Sequence, residues 1–500
     1  MSETLPPGWT WTTLGEIAIY INGRAFKPSE WSKEGLPIIR IQNLNRGGSD
    51  FNYCNFPVDE KFYVAKGDLL FGWSGTPDTS FGAHIWNGGR GVLNQHIFRI
   101  VVDDRLLHKQ YFLHALNHKV KEFVSKAHGT AGLAHITKRK FEESQISIPP
   151  LPEQHRIVEK IEALFSELDK GVEQLKTAAQ QLKVYRQSVL KWAFEGKLTE
   201  GWRTSQKSKV KSQKVEIAEA LLERIKRERE ALAQATGKKL KPIAPLTEKE
   251  LAELPRLPEG WAWVRFGDVA DIKGGKRLPK GETYSEERTG YPYIRVVDFD
   301  NYSVGMGSLK YLKARTQEKI NAYTIGKDDV YISIAGTIGV VGTIPEVLDG
   351  ANLTENAAKI VLPRSLTPKY ISFFLSSYDG QSQVGRLTMA TTQPKLALFR
   401  IAQIAFPLCA SDEQHQIVQE IETRLSVCDK LEESITASLQ QAEALRQSIL
   451  KKAFEGKLVS QDQNDEPASV LLETIRNEKA AEQRDVYSTK RKRISSRGAK

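Results

Sequence analysis

Apolar residues recur in threes and fours between Glu153 and Leu198, at Ile157, Ile161, Leu164, Leu168, Val172, Leu175, Ala179, Leu182, Tyr185, Val189 and Trp192. That spacing lines them up along one stripe of an α-helix. The pattern returns between Glu413 and Leu458, at Ile417, Ile421, Leu425, Cys428, Ile435, Leu439, Leu445 and Ile449. Aligned without a gap, 24 of 46 positions are identical, so the region is a duplication. About 40 residues of helix run roughly 60 Å. A helix of that length with one apolar stripe needs a cover, and its own copy, packed antiparallel, is the natural partner. The ends are readable: Pro152 suits a first helical position, Ser411 with Gln414 forms a capping-box pattern, and Gly196 and Gly456 stand where left-handed caps belong.

Outside these helices the apolar runs shorten and are cut by Gly, Pro and Asn. Leu36–Ile41, Asp68–Trp73, Ile97–Val102 and Gln145–Ile148 read as strands and His108–Val124 as a helix; further on, Tyr291–Val297, Val330–Ile334 and Ala358–Leu362 read as strands and Tyr370–Ser377 as a helix. The repeat extends into these parts, because Leu5-Pro6-Pro7-Gly8-Trp9-Thr10-Trp11 matches Leu257-Pro258-Glu259-Gly260-Trp261-Ala262-Trp263. Pro37-Ile38-Ile39-Arg40 likewise matches Pro292-Tyr293-Ile294-Arg295, and Gly75-Thr76 matches Gly336-Thr337. The expected class is α+β: two tandem modules separated by two long antiparallel helices in a pseudo-two-fold arrangement. The boundaries read as module one over 1–150, the first helix over 151–200, a polar helical linker over 201–256, module two over 257–408, the second helix over 409–460 and a basic tail over 461–500.

Charge adds a partner class. A net charge of +11, from 72 Lys and Arg against 61 Asp and Glu, fits an acidic polymer. The linker carries a helical run, Glu219–Leu232, and the tail closes on Lys490-Arg491-Lys492-Arg493, a candidate phosphate contact. Three cysteines without CxxC spacing argue against disulfides or a zinc cluster. With no basic leader ahead of an apolar run and no stretch long enough to span a bilayer, a cytoplasmic location is expected.

Catalytic signatures are missing: there is no phosphate loop, no HExxH, no GxSxG and no Asp/Asn-Pro-Pro-aromatic tetrapeptide. His114 and His118, four apart on a helix, have no acidic or thiol ligand beside them and read as ordinary surface histidines. The chemistry that remains suits DNA. Gly-rich loops follow the first strand of each module, one with Arg24 and Lys27, the other with Lys273, Lys276, Arg277 and Lys280. Cations beside glycine can meet phosphates or guanine edges. Arg40 and Arg295, Ser74 and Thr76, Thr337, the run Lys138-Arg139-Lys140 and Lys395 complete the candidates. The tryptophans at the module starts read as core.

The two Leu-Pro-x-Gly-Trp-x-Trp starts, the Gly75-Thr76 and Ala335-Gly336-Thr337 turns, Pro149-Pro150-Leu151-Pro152-Glu153-Gln154 and the twin Ala-Phe-Glu-Gly-Lys-Leu helix ends together resemble the specificity subunit of a Type I restriction-modification system. Pro407-Leu408-Cys409-Ala410-Ser411 departs from the Pro-rich entry to the helix. The resemblance implies target-recognition domains that each read one part of a split double-stranded DNA site, with the helices as spacer and docking surface. It also implies partners: two modification subunits that methylate adenine with S-adenosylmethionine, and restriction subunits that use ATP and Mg²⁺. No cofactor and no catalysis are expected in this chain. The competing readings are a coiled-coil scaffold whose modules bind protein and a nuclease with an unrecognised site.

Overall fold

The computed structural model of the chain describes residues 5–46, 50–127, 134–209, 216–237, 240, 242–388 and 394–478. The basic run Lys490–Arg493 lies outside them. Each long helix is 44 residues, Leu151–Phe194 and Ser411–Phe454. The chain forms two compact units, Met1–Leu175 with Ala437–Lys500, and Lys176–Thr436. The unit boundaries therefore fall inside the long helices, and each helix gives its first half to one unit and its second half to the other.

The first unit holds module one. A four-stranded antiparallel sheet runs in the order Ala18–Asn22, Ile97–Val102, Leu69–Gly72, Gly82–Ile85. A second sheet runs Asn52–Cys54, Leu36–Ile39, Gly91–Leu93, Tyr63–Val64, with the middle pair parallel. Thr10–Thr13 pairs with Gln145–Ile148, joining the start of the module to the strand that leads into the helix. The strand expected over Leu36–Ile41 stops at Ile39, and Ile41–Arg46 is helical. The helix expected over His108–Val124 is two, Lys109–His118 and Val120–Lys126, broken at Lys119.

In the second unit, module two repeats both sheets in the same order and adds a hairpin of Phe299–Asp300 on Ser303–Val304. Its sheets run Asp271–Gly274, Ala357–Val361, Asp329–Ser333, Val341–Thr343 and Lys310–Tyr311, Pro292–Ile294, Ala351–Leu353, Thr324–Ile325, closed by Ala262–Arg265 on Ala405–Leu408. The fold is α+β, as the pattern of short strands and few helices implies.

The helices complete these cores. Ile157, Ile161, Ile449, Leu450 and Ala453 are buried with module one; Val189, Leu190, Ala193, Phe194, Ile417 and Ile421 are buried with module two. Phe194 sits edge-on to Tyr370 and Phe374, both at 5.3 Å. The apolar stripe thus divides: its ends belong to the module cores, while Leu168, Val172, Leu175, Ala179 and Leu182 between them are only half-buried. Within each unit the helix halves run antiparallel. In the second, Arg186 meets Asp429 while Thr199, further along, meets Glu413, further back.

The duplicated Glu-Gln pair explains its own repetition. Glu153 accepts the indole N–H of Trp9 (3.1 Å), and Glu413 that of Trp261 (2.8 Å). Beside them, Gln154 caps the backbone of His108, Leu106 and Pro149, and Gln414 that of Thr367 and Cys409. The expected capping box at Ser411 does not form for this reason: Gln414 is buried in that bracket, and the helix already includes Ser411. Gly196 and Gly456 have φ of 72° and 67°, and each lies against the proline of a Leu-Pro-x-Gly-Trp start, Pro258 and Pro6 respectively. The linker helix, Ala218–Thr236, ties to module two through the Ala218 N–H on Gly260 O (2.9 Å), and helical residues 468–478 tie to module one through the Ala468 N–H on Gly8 O (3.0 Å).

Candidate nucleic-acid interface

Local backbone chemistry builds the same frame at the loop end of each module. After the first sheet strand, Gly23 donates to Ile97 O (3.2 Å) and Arg24 to Leu93 O (2.8 Å); in module two, Gly275 donates to Ala357 O (3.0 Å) and Lys276 to Leu353 O (2.8 Å). A Cβ on Gly23 would lie 2.1 Å from Asn94 O, and one on Gly275 2.1 Å from Thr354 O. Glycine is required there by the protein's own backbone, which passes in contact. The turn that follows the central strand closes the frame from the other side. Trp73 N–H donates to His96 O (3.2 Å) and Ile334 N–H to Asn356 O (2.8 Å). Ser74–Gly75 pairs with Ala134–His135, and Ala335 bridges Lys395.

The sequence candidates separate on this frame. Lys27, Lys273, Lys276, Lys280 and Lys395 are exposed, as are Thr76 and Thr337, while Ser74 is half-buried. Lys276 also lies over the Tyr323 ring, 5.4 Å from its centroid. These side chains stand where an anion can reach them.

Other cations are held by the protein. Arg24 pairs with Glu30 (2.5 Å) and lies against the rings of Phe26 and Phe56. Arg295 makes two bonds to the buried Asp298 (3.0 and 2.9 Å) and one to Ser308 O. Its counterpart Arg40 stacks on Trp31 (5.6 Å) and shares the local turn, since Arg40 N–H donates to Asn43 Oδ1 as Arg295 N–H does to Asp298. Lys138 donates to Tyr20 O (2.7 Å), Arg139 pairs with Glu143 (2.8 Å), and Lys140 is half-buried on the same short helix. Arg277, exposed, pairs with Glu355 at 2.6 Å. Its hydrogen bond to Glu355 raises the Arg277 pKa; burial pushes the Glu355 carboxyl up, and the hydrogen bonds from Arg277, the backbone and Thr354 together hold it below its ordinary value.

Sequence reasoning passed over the residues at the centre of the frame, Asn94-Gln95-His96 and Thr354-Glu355-Asn356. The signal was a polar triplet between Leu93 and Ile97, repeated between Leu353 and Ala357. His114 and His118 are packed against Phe165 and Phe454, and among the described residues no His, Cys, Asp and Glu cluster could hold a metal. Among the same residues no helix is long and apolar enough to cross a membrane.

Comparison with known proteins agrees with this duplicated plan. The profile described as Type I restriction modification DNA specificity domain matches residues 6–177 and 258–441, once in each repeat. The Type I restriction enzyme EcoBI specificity subunit of Escherichia coli is 25% identical over 484 residues, covering 95% of this chain and 93% of its own. Two solved structures share the fold. One, described as the structural basis underlying complex assembly and conformational transition of the type I R-M system, aligns with a TM-score of 0.64 at 19% identity, over 91% of this chain and 99% of its own. The other, the HsdS subunit from Thermoanaerobacter tengcongensis, aligns with a TM-score of 0.50 at 18% identity and the same coverage.

Proposed function

We infer the role of this chain from the premise that it belongs to the Type I restriction modification DNA specificity family, and propose that it reads a bipartite, asymmetric DNA site. Each module takes one half-site. The observation that carries this reading is a shared frame with different contents: the strand order repeats, while the side chains at the loop end differ, as in Asn94-Gln95-His96 against Thr354-Glu355-Asn356. One scaffold with two sets of readers suits two unlike half-sites.

The long helices, on this reading, set the unread spacer and seat two adenine-methyltransferase subunits. Val184, Tyr185, Val427 and Leu431 are exposed apolar side chains on them and support docking, since such residues gain by being covered. Restriction subunits join the same assembly. The chain supplies recognition, and S-adenosylmethionine, ATP and Mg²⁺ serve the partners. The exposed lysines give the phosphate-directed part of the affinity, which falls steeply with salt.

The test is a binding titration of the chain with its modification partner against target and random duplexes at several salt concentrations, with methylated adenines mapped in a genome that carries the system. A split motif and a preference for the target duplex are expected. Equal affinity for both duplexes would overturn the reading.

A further inference from the structure

Three observations meet at the polar triplet of each module. First, the triplet is clamped on both sides by backbone: the glycine loop bonds to Leu93 and Ile97 in one module and to Leu353 and Ala357 in the other, and the turn after the central strand bonds to His96 O or Asn356 O. Its side chains therefore stand on a turn whose two flanking strands are pinned by backbone bonds, the kind of support that readout requires. Second, Gln95 and Asn356 are exposed, next to strands and loops that carry the candidate cations. Third, His96 is unfinished. Its Nε2 lies 3.0 Å from Gln95 Nε2, its ring sits 5.5 Å from that of Trp73, and neither His96 Nδ1 nor Trp73 Nε1, both shielded from solvent, has a hydrogen-bond partner among the described residues. Shielded polar atoms left without partners are rare and call for a ligand or a rearrangement.

We propose that Gln95 with His96 in module one, and Asn356 in module two, are the side chains that discriminate base edges. The proposal rests on the DNA-reading function above and assigns it to particular residues. A carboxamide offers an acceptor and a donor side by side, the pattern that matches adenine N7 and N6 in the major groove. Gln95 donates its N–H to His96 Nε2, which orders the amide, and its oxygen takes no part in that contact. Asn356 stands at the position equivalent to His96, with Glu355 held aside by Arg277. The two modules therefore carry unlike readers on one backbone frame. On this assignment the exposed lysines orient the duplex and carry no base information.

The experiment uses the full chain with its modification partner and duplex libraries randomised in one half-site at a time. Gln95→Ala and His96→Ala are expected to lose about 5- to 150-fold of discrimination at a base pair of one half-site, the value of a good bidentate contact. Asn356→Ala is expected to do the same in the other half-site only. Gln95→Glu and Asn356→Asp keep the shape, guard against misfolding, and are expected to change which base is chosen. Wild-type selectivity that survives unchanged in the shape-preserving variants overturns the assignment. A wild-type protein without selectivity overturns the underlying function instead, so the two failures are distinct.

Discussion

Arg186 Nη2 lies 2.7 Å from Asp429 Oδ1, joining the second half of one long helix to the first half of the other. Arg446 meets Asp169 in the other unit, and the four residues are counterparts under the sequence repeat. Such half-exposed pairs set register more than they add stability. A double-mutant cycle on Arg186 and Asp429 is expected to give a coupling of about 0.5–1 kcal/mol, and exchanging the two charges should recover most of it. Urea unfolding of the four proteins measures this; additive single losses would contradict it.

The two buried glutamates are not equivalent. Glu413 accepts from Trp261, Thr199 (2.8 Å) and Arg203 (2.5 Å), whereas Glu153 accepts from Trp9 and Gln461, and nearby Arg156 pairs with Asp465 (2.6 Å). Burial moreover raises the Glu153 carboxyl above its ordinary pKa, so its charge is less favoured. Glu413→Gln leaves a mostly buried guanidinium short of its counter-charge and should cost about 3 kcal/mol. Glu153→Gln should cost about 1 kcal/mol. Hydrogen exchange read separately in the two units distinguishes the losses, and equal values would refute the asymmetry.

The linker's attachment to module two depends on acid. Glu250 accepts from the Thr247 N–H, which lowers its pKa most, and from Arg265, and the two hold it at about 2. Its folded pKa lies below its unfolded one, so its stabilising contribution is present above the unfolded value near 4.5 and is lost as pH falls toward 2. Wild type should exceed Glu250→Gln in stability at pH 6, with the gap narrowing by pH 3. Denaturation midpoints across that window test it, and a constant gap would count against the ion pair.

Free and braced cations should fail in different ways. Lys27→Ala and Lys276→Ala are each expected to lower the salt slope of DNA binding by about one, with little change in stability. Arg295→Ala strips the buried Asp298 of its counter-charge, leaving the Ser308 hydroxyl on it, and should destabilise by about 3 kcal/mol. Salt titrations paired with thermal unfolding separate the classes; an unchanged slope in both lysine variants would remove them from the interface.

Spacer length should follow helix length. Seven residues inserted after Leu175 and seven after Ile435 add about 10.5 Å to each helix, or about three base pairs at 3.4 Å each. The methylated motif is expected to keep both half-sites and lengthen its gap. An unaltered gap in a folded variant would show that the helices do not measure it.

What was legible in the sequence was local. The helical stripe from Ile157 to Val189 shows in its spacing, and the duplication shows in the repeated letters. That the stripe would divide, with Ile157 in one core and Val189 in another, depends on which module each end meets, a long-range fact with no local mark. Gly23 and Gly275 belong to the glycine loops read as places where backbone comes close to a ligand, yet what they admit is the chain's own carbonyls. Arg24 and Arg295 looked like readers because a lone letter does not disclose Glu30 or Asp298 beside it. Gln95, His96 and Asn356 were missed because polar residues between two strands look like any turn until the flanking bonds are seen.

One hydrogen bond has a temporal meaning. The Ala468 N–H that meets Gly8 O is made long after its acceptor has left the ribosome, on the order of half a minute to a minute and a half at ordinary synthesis rates. The second unit is continuous, Lys176–Thr436, and has all its parts first; the first must wait for Ala437 onward. The order of completion therefore reverses the order of synthesis. The opening module spends that interval without the apolar side chains of Ile449, Leu450, Ala453 and Leu472 that complete its core. A premature stop near the end of the message damages the module at its beginning.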